Sequence, residues 1–313
     1  MLKSRKTKDI SLYLTGATAS GKSQLALELA ELLEGEIVTV DSMQVYRAMD
    51  IGTDKPSREE RRRVPHHLVD ILELHESFDA GAFVKQARKA EKAILSQGKT
   101  PIFCGGTGLY LRAWLEGLID IPAAPGALRE KLAAMSLESL QEKLREVAPH
   151  DYERVDIQNR RRVERALEIF LLSGEESSRQ KMQWSKHGSK KPFCIILQRE
   201  KEVLHERIHR RVDEMFGRGL VEETRALLER GLEQNRTAMQ AIGYRQVVAY
   251  LKGKGRSLAE TIEEVKARTR QFAKRQRTWF RSQLPYGEEL PAAEDVKKQA
   301  REIAEKYRIF RDR

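Results

Sequence analysis

The chain has 313 residues, of which 40% are hydrophobic and 34% charged, so it is long enough to bury a sizeable core in one or two domains. No apolar run approaches the length that spans a bilayer, and residues 1–9 lack a signal-peptide pattern, so we expect a cytoplasmic protein. The net charge of +11 exceeds what one phosphate ligand requires and indicates an anionic partner such as nucleic acid, with a generally basic enzyme as the alternative.

Five apolar runs predict strands, and helical stretches separate most of them. This alternation is typical of a parallel α/β sheet flanked by helices. The runs are Ile10–Leu14, Glu36–Val40, His67–Leu72, Pro101–Cys104 and Phe193–Leu197. The only cysteines, Cys104 and Cys194, lie in two of these runs without a Cys/His cluster, so we expect reduced core thiols and no zinc site.

A complete phosphate-binding pattern, G-x-x-x-x-G-K-[ST], lies between the first strand and a helical repeat of leucines. It consists of Gly16, Ala17, Thr18, Ala19, Ser20, Gly21, Lys22 and Ser23. The glycines let the backbone curl until its N–H groups point at an anion, Lys22 adds a mobile charge, and the Ser23 hydroxyl suits Mg²⁺. We therefore predict a P-loop NTPase-like fold whose ligand is a polyphosphate or diphosphate.

Two further stretches follow strands and should meet this loop at the carboxyl edge of the sheet. Asp41 ends the second strand, where a carboxylate can hold magnesium through water, accept a proton as a general base, or cap a turn. The stretch 105–108 follows the fourth strand, and its Thr107 can hydrogen-bond phosphate, ribose or base. Its glycines permit a close approach to a ligand, although a tight strand-to-helix turn explains them equally well.

After residue 118 the alternation of strands and helices ends. We predict a helical insertion over 119–191, between the two parts of an α/β core, 1–118 and 192–313. Within the insertion, Leu128–Val147 and Arg160–Leu172 read as helices. The apolar positions of the second helix leave most of its arginines free to meet an anion, or simply to be solvated.

The C-terminal third reads as helical. Arg207 and Arg211 flank an apolar stripe from Leu204 to Phe216, which should place both arginines at the edge of the crevice. From Ile262 to Phe280 the predicted core side includes Phe272, so we interpret the aromatics there as packing residues rather than base-stacking platforms.

The same C-terminal helix carries a run of basic residues. Lys266–Arg281 contains seven basic residues and no acidic one, which favours a surface for RNA phosphates that includes Lys274 and Arg277. From the residues alone, a nucleoside or nucleotide kinase is the first interpretation. A non-enzymatic RNA-binding protein would leave Asp41 and the phosphate loop without a role.

The chain resembles the bacterial tRNA dimethylallyltransferases in the order and spacing of the segments GATASGKS, VDSMQVYRAMDIGTDKP, PHHLVDI, CGGTGLYLRAWLEGL, RRRVERALEIF, AIGYRQ and TRQFAKRQRTWFR. The resemblance extends from Ile10 to about Arg281 and departs at Ala17, where the family usually has proline. It implies transfer of the dimethylallyl group of dimethylallyl diphosphate to N6 of adenosine 37 beside the anticodon of tRNA, with release of diphosphate.

The resemblance also implies roles for individual residues. The phosphate loop would hold the diphosphate leaving group together with Thr18 and Arg211, Asp41 would be the general base, and Ser23 would lie near Mg²⁺. We assign tRNA binding to Asp41, Ser42, Met43, Gln44, Thr107, Arg161, Arg162, Arg165, Gly243, Tyr244, Arg245 and Gln246, in addition to Lys274 and Arg277. We expect the anticodon stem-loop as partner, no membrane, and a monomer; prenylation of free adenine nucleotides is the alternative.

Overall fold

The computed structural model describes residues 10–117, 124–176, 192–253 and 257–312. The chain packs into two compact units, of which the first consists of residues 1–113 and 191–313 and the second of residues 114–190. In the described ranges, no helix combines the length and apolar character needed to cross a membrane.

The first unit contains a parallel six-stranded sheet, which confirms the predicted α/β class. Its strands are β1 (Leu12–Gly16), β2 (Gly35–Val40), β3 (His66–His67), β4 (Thr100–Gly105), β5 (Phe193–Gln198) and β6 (Glu288–Pro291). They lie in the order β3-β2-β4-β1-β5-β6. Strands β1 and β4 are buried along their whole length, as is typical of parallel sheets covered by helices.

Helices connect the strands and continue the chain after β5. They are α1 (Lys22–Leu32), α2 (Arg58–Arg63), α3 (Ala80–Ser96), α4 (Gly108–Glu116), α5 (Gly126–Ala134), α6 (Leu137–Val147), α7 (Pro149–Arg154), α8 (Arg160–Ser173), α9 (Lys201–Gly217), α10 (Leu220–Glu229), α11 (Tyr244–Leu251), α12 (Leu258–Gln283) and α13 (Val296–Asp312). Long α12 begins at a capping box formed by Ser257 and Glu260, the arrangement that satisfies free N–H groups at a helix start.

The prediction for the third strand is wrong in extent. Only His66–His67 pairs with β2, because the chain turns immediately afterwards through left-handed conformations at Leu68 (φ 65°) and Asp70 (φ 55°). Leu72 forms a single parallel bridge with Tyr46. The predicted strand is thus a short edge strand followed by a bent segment.

The C-terminal tail, predicted to be helical, starts with a strand. Glu288–Pro291 forms edge strand β6 beside β5, and helix α13 follows. Helix α13 buries Ile303 and Tyr307 in the apolar cluster that α1, β1 and β5 share, and the Tyr307 hydroxyl donates to the carbonyl of Ile10. The tail therefore completes the core of the first unit.

The second unit is helical over its described residues. The helix predicted over Leu128–Val147 is two helices, α5 and α6, because Ser136 interrupts it and caps α6 by accepting the Ser139 N–H at 3.1 Å. Its core consists of Leu132, Leu140, Leu144, Ala148, Val163, Ala166 and Leu167. Of the insertion predicted over 119–191, residues 119–123 and 177–191 lie outside the described residues.

Both cysteines are buried and unpaired, as predicted. Burial raises the pKa of Cys104 to about 11 and that of Cys194 to about 12, so both thiols stay protonated and unreactive at neutral pH.

Candidate active site

The phosphate loop joins the end of β1 to the start of α1. A Cβ at Gly16 would lie 2.5 Å from the carbonyl oxygen of Leu197 on β5, so only glycine fits where the two strands meet. Ala19 (φ 61°) and Gly21 (φ 101°) take left-handed conformations that reverse the chain before α1 begins. The sequence pattern thus produces the curled loop that it predicts.

The interior of this loop is electropositive. The N–H of Leu25 bonds to the carbonyl of Gly21, so the N–H groups that precede it have no acceptor within the helix and are available to an anion. The Lys22 ammonium folds back to within 3.3 Å of the Ala17 carbonyl, and burial lowers the pKa of Lys22.

Three arginines, one just after β5 and two on helix α9, donate hydrogen bonds to the phosphate loop. Arg207 Nε donates to the Ala19 carbonyl at 2.9 Å, and Arg211 Nη1 donates to the Thr18 hydroxyl at 2.9 Å. Both arginines therefore reach the phosphate loop, but of the two only Arg211 lines the crevice where the sequence predicts them. Arg199, which the sequence analysis overlooked, donates through Nε to the Ser20 carbonyl at 3.1 Å.

A buried glutamine of α12 connects the phosphate loop to the loop after β4. Gln276 accepts the backbone N–H of Thr18 through Oε1 at 2.8 Å and donates through Nε2 to the Gly106 carbonyl at 2.9 Å. Gln276 is not among the site residues predicted from the sequence. A usable signal exists, since Gln276 lies three residues after buried Ala273 and four before buried Phe280, on the core face of the helix.

Asp41 lies directly after β2 and closes a local turn. Its Oδ1 accepts the backbone N–H groups of Met43 at 2.8 Å and Gln44 at 3.3 Å. Burial raises the pKa of Asp41, although these two N–H groups and the charges of Lys22 and Arg211 oppose the rise. The carboxylate is therefore both the turn cap weighed in the sequence analysis and a base whose proton affinity exceeds that of ordinary aspartate.

The glycines after β4 serve close packing within the protein. A Cβ at Gly105 would lie 2.1 Å from the Val40 carbonyl oxygen, and one at Gly106 would lie 2.5 Å from Nε2 of Gln276. Thr107 accepts the N–H of Ser42 through its hydroxyl at 3.2 Å. Of the two explanations that the sequence left open, the structure therefore favours a tight turn, which here ties β4 to the Asp41 segment.

The opposite wall is the loop 49–54, which a carboxylate of α10 holds in place. Glu223 accepts the backbone N–H groups of Asp50, Ile51 and Gly52 at 3.3, 2.9 and 3.3 Å, and the Tyr244 hydroxyl donates to Glu223 at 2.5 Å. The loop ends at Asp54, whose Oδ2 lies 3.4 Å from Arg211.

These groups surround one cleft of about 630 Å³ within the first unit. Residues from the phosphate loop, the loops after β2 and β4, helices α9, α11 and α12, and the segment that precedes α11 line it. The predicted site residues among them are Thr18, Lys22, Ser23, Asp41, Ser42, Met43, Gln44, Thr107, Arg211 and Arg245.

Other residues assigned to tRNA binding lie elsewhere. The side chain of Tyr244 is fully buried, and buried Gln246 accepts the Gly243 N–H at 3.0 Å, so both fix the start of α11 instead of facing solvent. Arg161, Arg162 and Arg165 are exposed on α8 of the second unit. There Arg165 pairs with Glu168 at 2.8 Å.

The basic run of α12 is less uniform than its sequence indicates. Lys274 is exposed and Arg277 half-buried, and neither has a carboxylate partner among the described residues. Lys266, by contrast, is only 12% exposed and pairs with Asp213 at 2.8 Å and Glu263 at 3.0 Å. The prediction that Phe272 belongs to the core is wrong, because its ring is exposed and lines the cleft.

Comparison with known proteins gives a consistent family assignment. Residues 44–283 match the protein-family model described as IPP transferase. A tRNA dimethylallyltransferase of Geobacter metallireducens is 47% identical over 86% of this chain and 89% of its own length.

Solved structures agree with the sequence relatives. A full-length tRNA isopentenylpyrophosphate transferase of Bacillus halodurans is 35% identical and has a TM-score of 0.72, covering 97% of each chain. A eukaryotic dimethylallyltransferase acting on tRNA is 28% identical with a TM-score of 0.82, covering 97% of this chain and 80% of its own.

Proposed function

The chain belongs to the IPP transferase family, and from that premise we propose that it transfers the dimethylallyl group of dimethylallyl diphosphate to N6 of adenosine 37 in tRNA, releasing diphosphate. The observation that carries the proposal is the shared cleft, which holds a cationic phosphate loop and the half-buried carboxylate of Asp41, whose pKa is raised. A diphosphate leaving group requires a cationic environment, and a nucleophile that must lose a proton requires a base next to it.

The phosphate loop takes the leaving group. As the allylic carbon–oxygen bond breaks, its electron pair goes to the diphosphate, where negative charge grows. Lys22, the hydroxyl of Thr18 and the guanidinium of Arg211 meet in this part of the cleft, and donors aimed at growing charge stabilise the transition state.

Asp41 acts as the general base for the acceptor adenosine. The N6 amine is a weak nucleophile because its lone pair is delocalised into the purine ring, so removal of a proton as the carbon–nitrogen bond forms assists the reaction. Asp41 accepts that proton; its raised pKa makes it a stronger base than an exposed aspartate, and Met43 and Gln44 hold its orientation.

Ser23 suits a magnesium ion that arrives with the diphosphate. Its exposed hydroxyl lines the cleft, while the described residues contain no cluster of three or more His, Cys, Asp or Glu side chains that could hold a metal by themselves. This donor set fits Mg²⁺, which is commonly held by few protein oxygens together with phosphate and water. When bound, the ion supplies positive charge to the leaving group.

Basic surfaces of each unit bind the tRNA. Arg245 at the cleft and Lys274 and Arg277 on α12 belong to the first unit, whereas Arg161, Arg162 and Arg165 are exposed on the second. Arginine and lysine contacts to phosphate position RNA, and the segment from Ser42 to Gln44 with Thr107 borders the entering base. We propose that the protein acts as a monomer in the cytoplasm, the compartment of its tRNA substrate.

Mass spectrometry of tRNA tests this function. Unmodified tRNA is incubated with the protein, dimethylallyl diphosphate and magnesium, then digested to nucleosides. We expect one dimethylallyl group on N6 of adenosine 37. Parallel incubations replace tRNA with AMP, or the prenyl donor with ATP. Prenylated AMP would favour free nucleotides as the acceptor, and a phosphorylated product would favour a kinase.

A further inference from the structure

Phe272 is an aromatic side chain on the wrong face of its helix for packing. Helix α12 buries Val265, Ala273 and Phe280, whereas Phe272 leaves 37% of its surface exposed. Exposed phenyl surface costs free energy in water, so a ring that borders a cleft is suited to contact with a ligand.

The position of the ring is distinctive within the cleft. Among the described residues that line it, Phe272 is the single Phe, Tyr or Trp side chain. The guanidinium of Arg275 lies 5.9 Å from the Phe272 ring centroid and also lines the cleft, as do Arg268 and Arg245. An aromatic face surrounded by planar cations is the combination that binds a nucleobase and its neighbouring phosphates.

We propose that Phe272 is the stacking platform for the adenine that leaves the anticodon loop. The inference rests on the proposed function, because a base that enters the cleft must first lose its stacking in the RNA. The phenyl ring replaces part of that lost contact, and Arg275 supplies a cation beside it. Stacking is tolerant of base identity, so Phe272 contributes affinity while polar groups of the cleft select adenine.

A stem-loop with 2-aminopurine at position 37 tests the stacking directly. This base lacks the exocyclic amine at C6, so its complex does not turn over, and its fluorescence falls when it stacks on an aromatic ring. We expect Phe272→Leu to give a brighter complex and about tenfold weaker stem-loop binding. Phe272→Tyr should restore both values, and the Michaelis constant for dimethylallyl diphosphate should stay unchanged in each variant.

Leu258→Ala is the matched control, because Leu258 is 40% exposed on the same helix and does not line the cleft. It should match the wild type in fluorescence and affinity. Unchanged fluorescence and affinity in Phe272→Leu would overturn the inference. So would a raised Michaelis constant for the donor with normal RNA binding, which would place the ring against the prenyl tail.

The proposed function is checked separately on an adenosine-containing stem-loop. If the wild type prenylates it while the Phe272 variants behave like the control, the stacking inference alone fails. If the wild type binds the stem-loop but transfers no prenyl group, the proposed function fails.

Discussion

The buried amide of Gln276 accepts the backbone N–H of Thr18 at 2.8 Å, although the two residues lie 258 positions apart in the chain. The same amide donates to the Gly106 carbonyl at 2.9 Å. One side chain of α12 therefore sets the separation between the phosphate loop and the loop that follows β4. Because α12 also carries Phe272 and the basic run, it links the diphosphate end of the cleft to the RNA end.

Replacing the Gln276 amide should lower the stability of the protein and its affinity for diphosphate. Gln276→Leu leaves the Thr18 N–H and the Gly106 carbonyl without their partner, and a buried unpaired group costs about 1–3 kcal/mol. We expect a lower melting temperature and weaker binding of inorganic diphosphate, measured by calorimetry. Thr278→Val, at an exposed position of the same helix that does not line the cleft, should change neither value. Normal diphosphate binding by Gln276→Leu would show that the loop holds its shape alone.

Asp41→Asn should raise the thermal stability of the protein while removing most of its transfer activity. Since burial raises the pKa of Asp41 above its ordinary 3.8, the folded protein binds this proton more tightly than the unfolded chain does. The associated stability is present in acid and is lost as the pH rises through the raised pKa, so the charged form costs stability at neutral pH. Asparagine keeps an Oδ1 acceptor for Met43 and Gln44 without the charge.

We therefore expect Asp41→Asn to melt at a higher temperature than the wild type at neutral pH, to bind tRNA normally and to lose most transfer in single-turnover assays. In the wild type, the transfer rate should rise with pH as Asp41 loses its proton, and this rise should occur at a higher pH than for an ordinary aspartate. A lower melting temperature would mean that Lys22 and Arg211 outweigh burial. A normal transfer rate would remove Asp41 as the base.

Arg211 and its neighbour Arg210 form a matched pair for testing the leaving-group site. Arg211 donates to Thr18 inside the cleft, whereas Arg210 is 68% exposed beside Glu214. Loss of one donor to growing charge typically lowers kcat by about a hundredfold or more. We expect that loss in Arg211→Ala with little change in tRNA affinity, and near wild-type kinetics in Arg210→Ala. Reduced tRNA affinity with normal kcat would reassign Arg211 to RNA binding.

Glu223 should act on the cleft through the loop 49–54. In Glu223→Gln, an amide group replaces one of the oxygens that accept the N–H groups of Asp50, Ile51 and Gly52, so the loop loses acceptors. We expect reduced thermal stability and a raised Michaelis constant for the prenyl donor, because Asp54 faces Arg211 from this loop. Glu222→Gln, on the exposed side of the same helix, is the control. Equal Michaelis constants for the prenyl donor in Glu223→Gln and Glu222→Gln would rule out an effect of the loop 49–54 on donor binding.

The sequence predicts those structural features that depend on residues close to one another in the chain. The phosphate loop is predicted by its glycines and by its position between a strand and a helix. The contacts of Arg207 and Arg211 with this loop agree with the spacing of both residues beside an apolar stripe. Glu223 and Arg199 were missed because their partners lie far away in the chain, so no periodicity reveals them. For Gln276, the spacing to Ala273 and Phe280 indicates the core face of α12, but it does not reveal the distant Thr18 and Gly106 that the amide contacts. Phe272 was misplaced because the helix turns its buried face toward Ala273 and Gln276, a rotation set by tertiary packing.

The proposed reaction differs from phosphoryl transfer in the bond that breaks beside the phosphate loop. The most direct measurement uses dimethylallyl diphosphate with a heavy isotope in the oxygen that bridges carbon and phosphorus, followed by mass spectrometry of both products. Cleavage between carbon and oxygen, which we predict, leaves all of the label in diphosphate and gives unlabelled prenylated tRNA. Label retained with the carbon fragment, or a phosphoryl group on the acceptor, would contradict the account and return the loop to phosphoryl transfer.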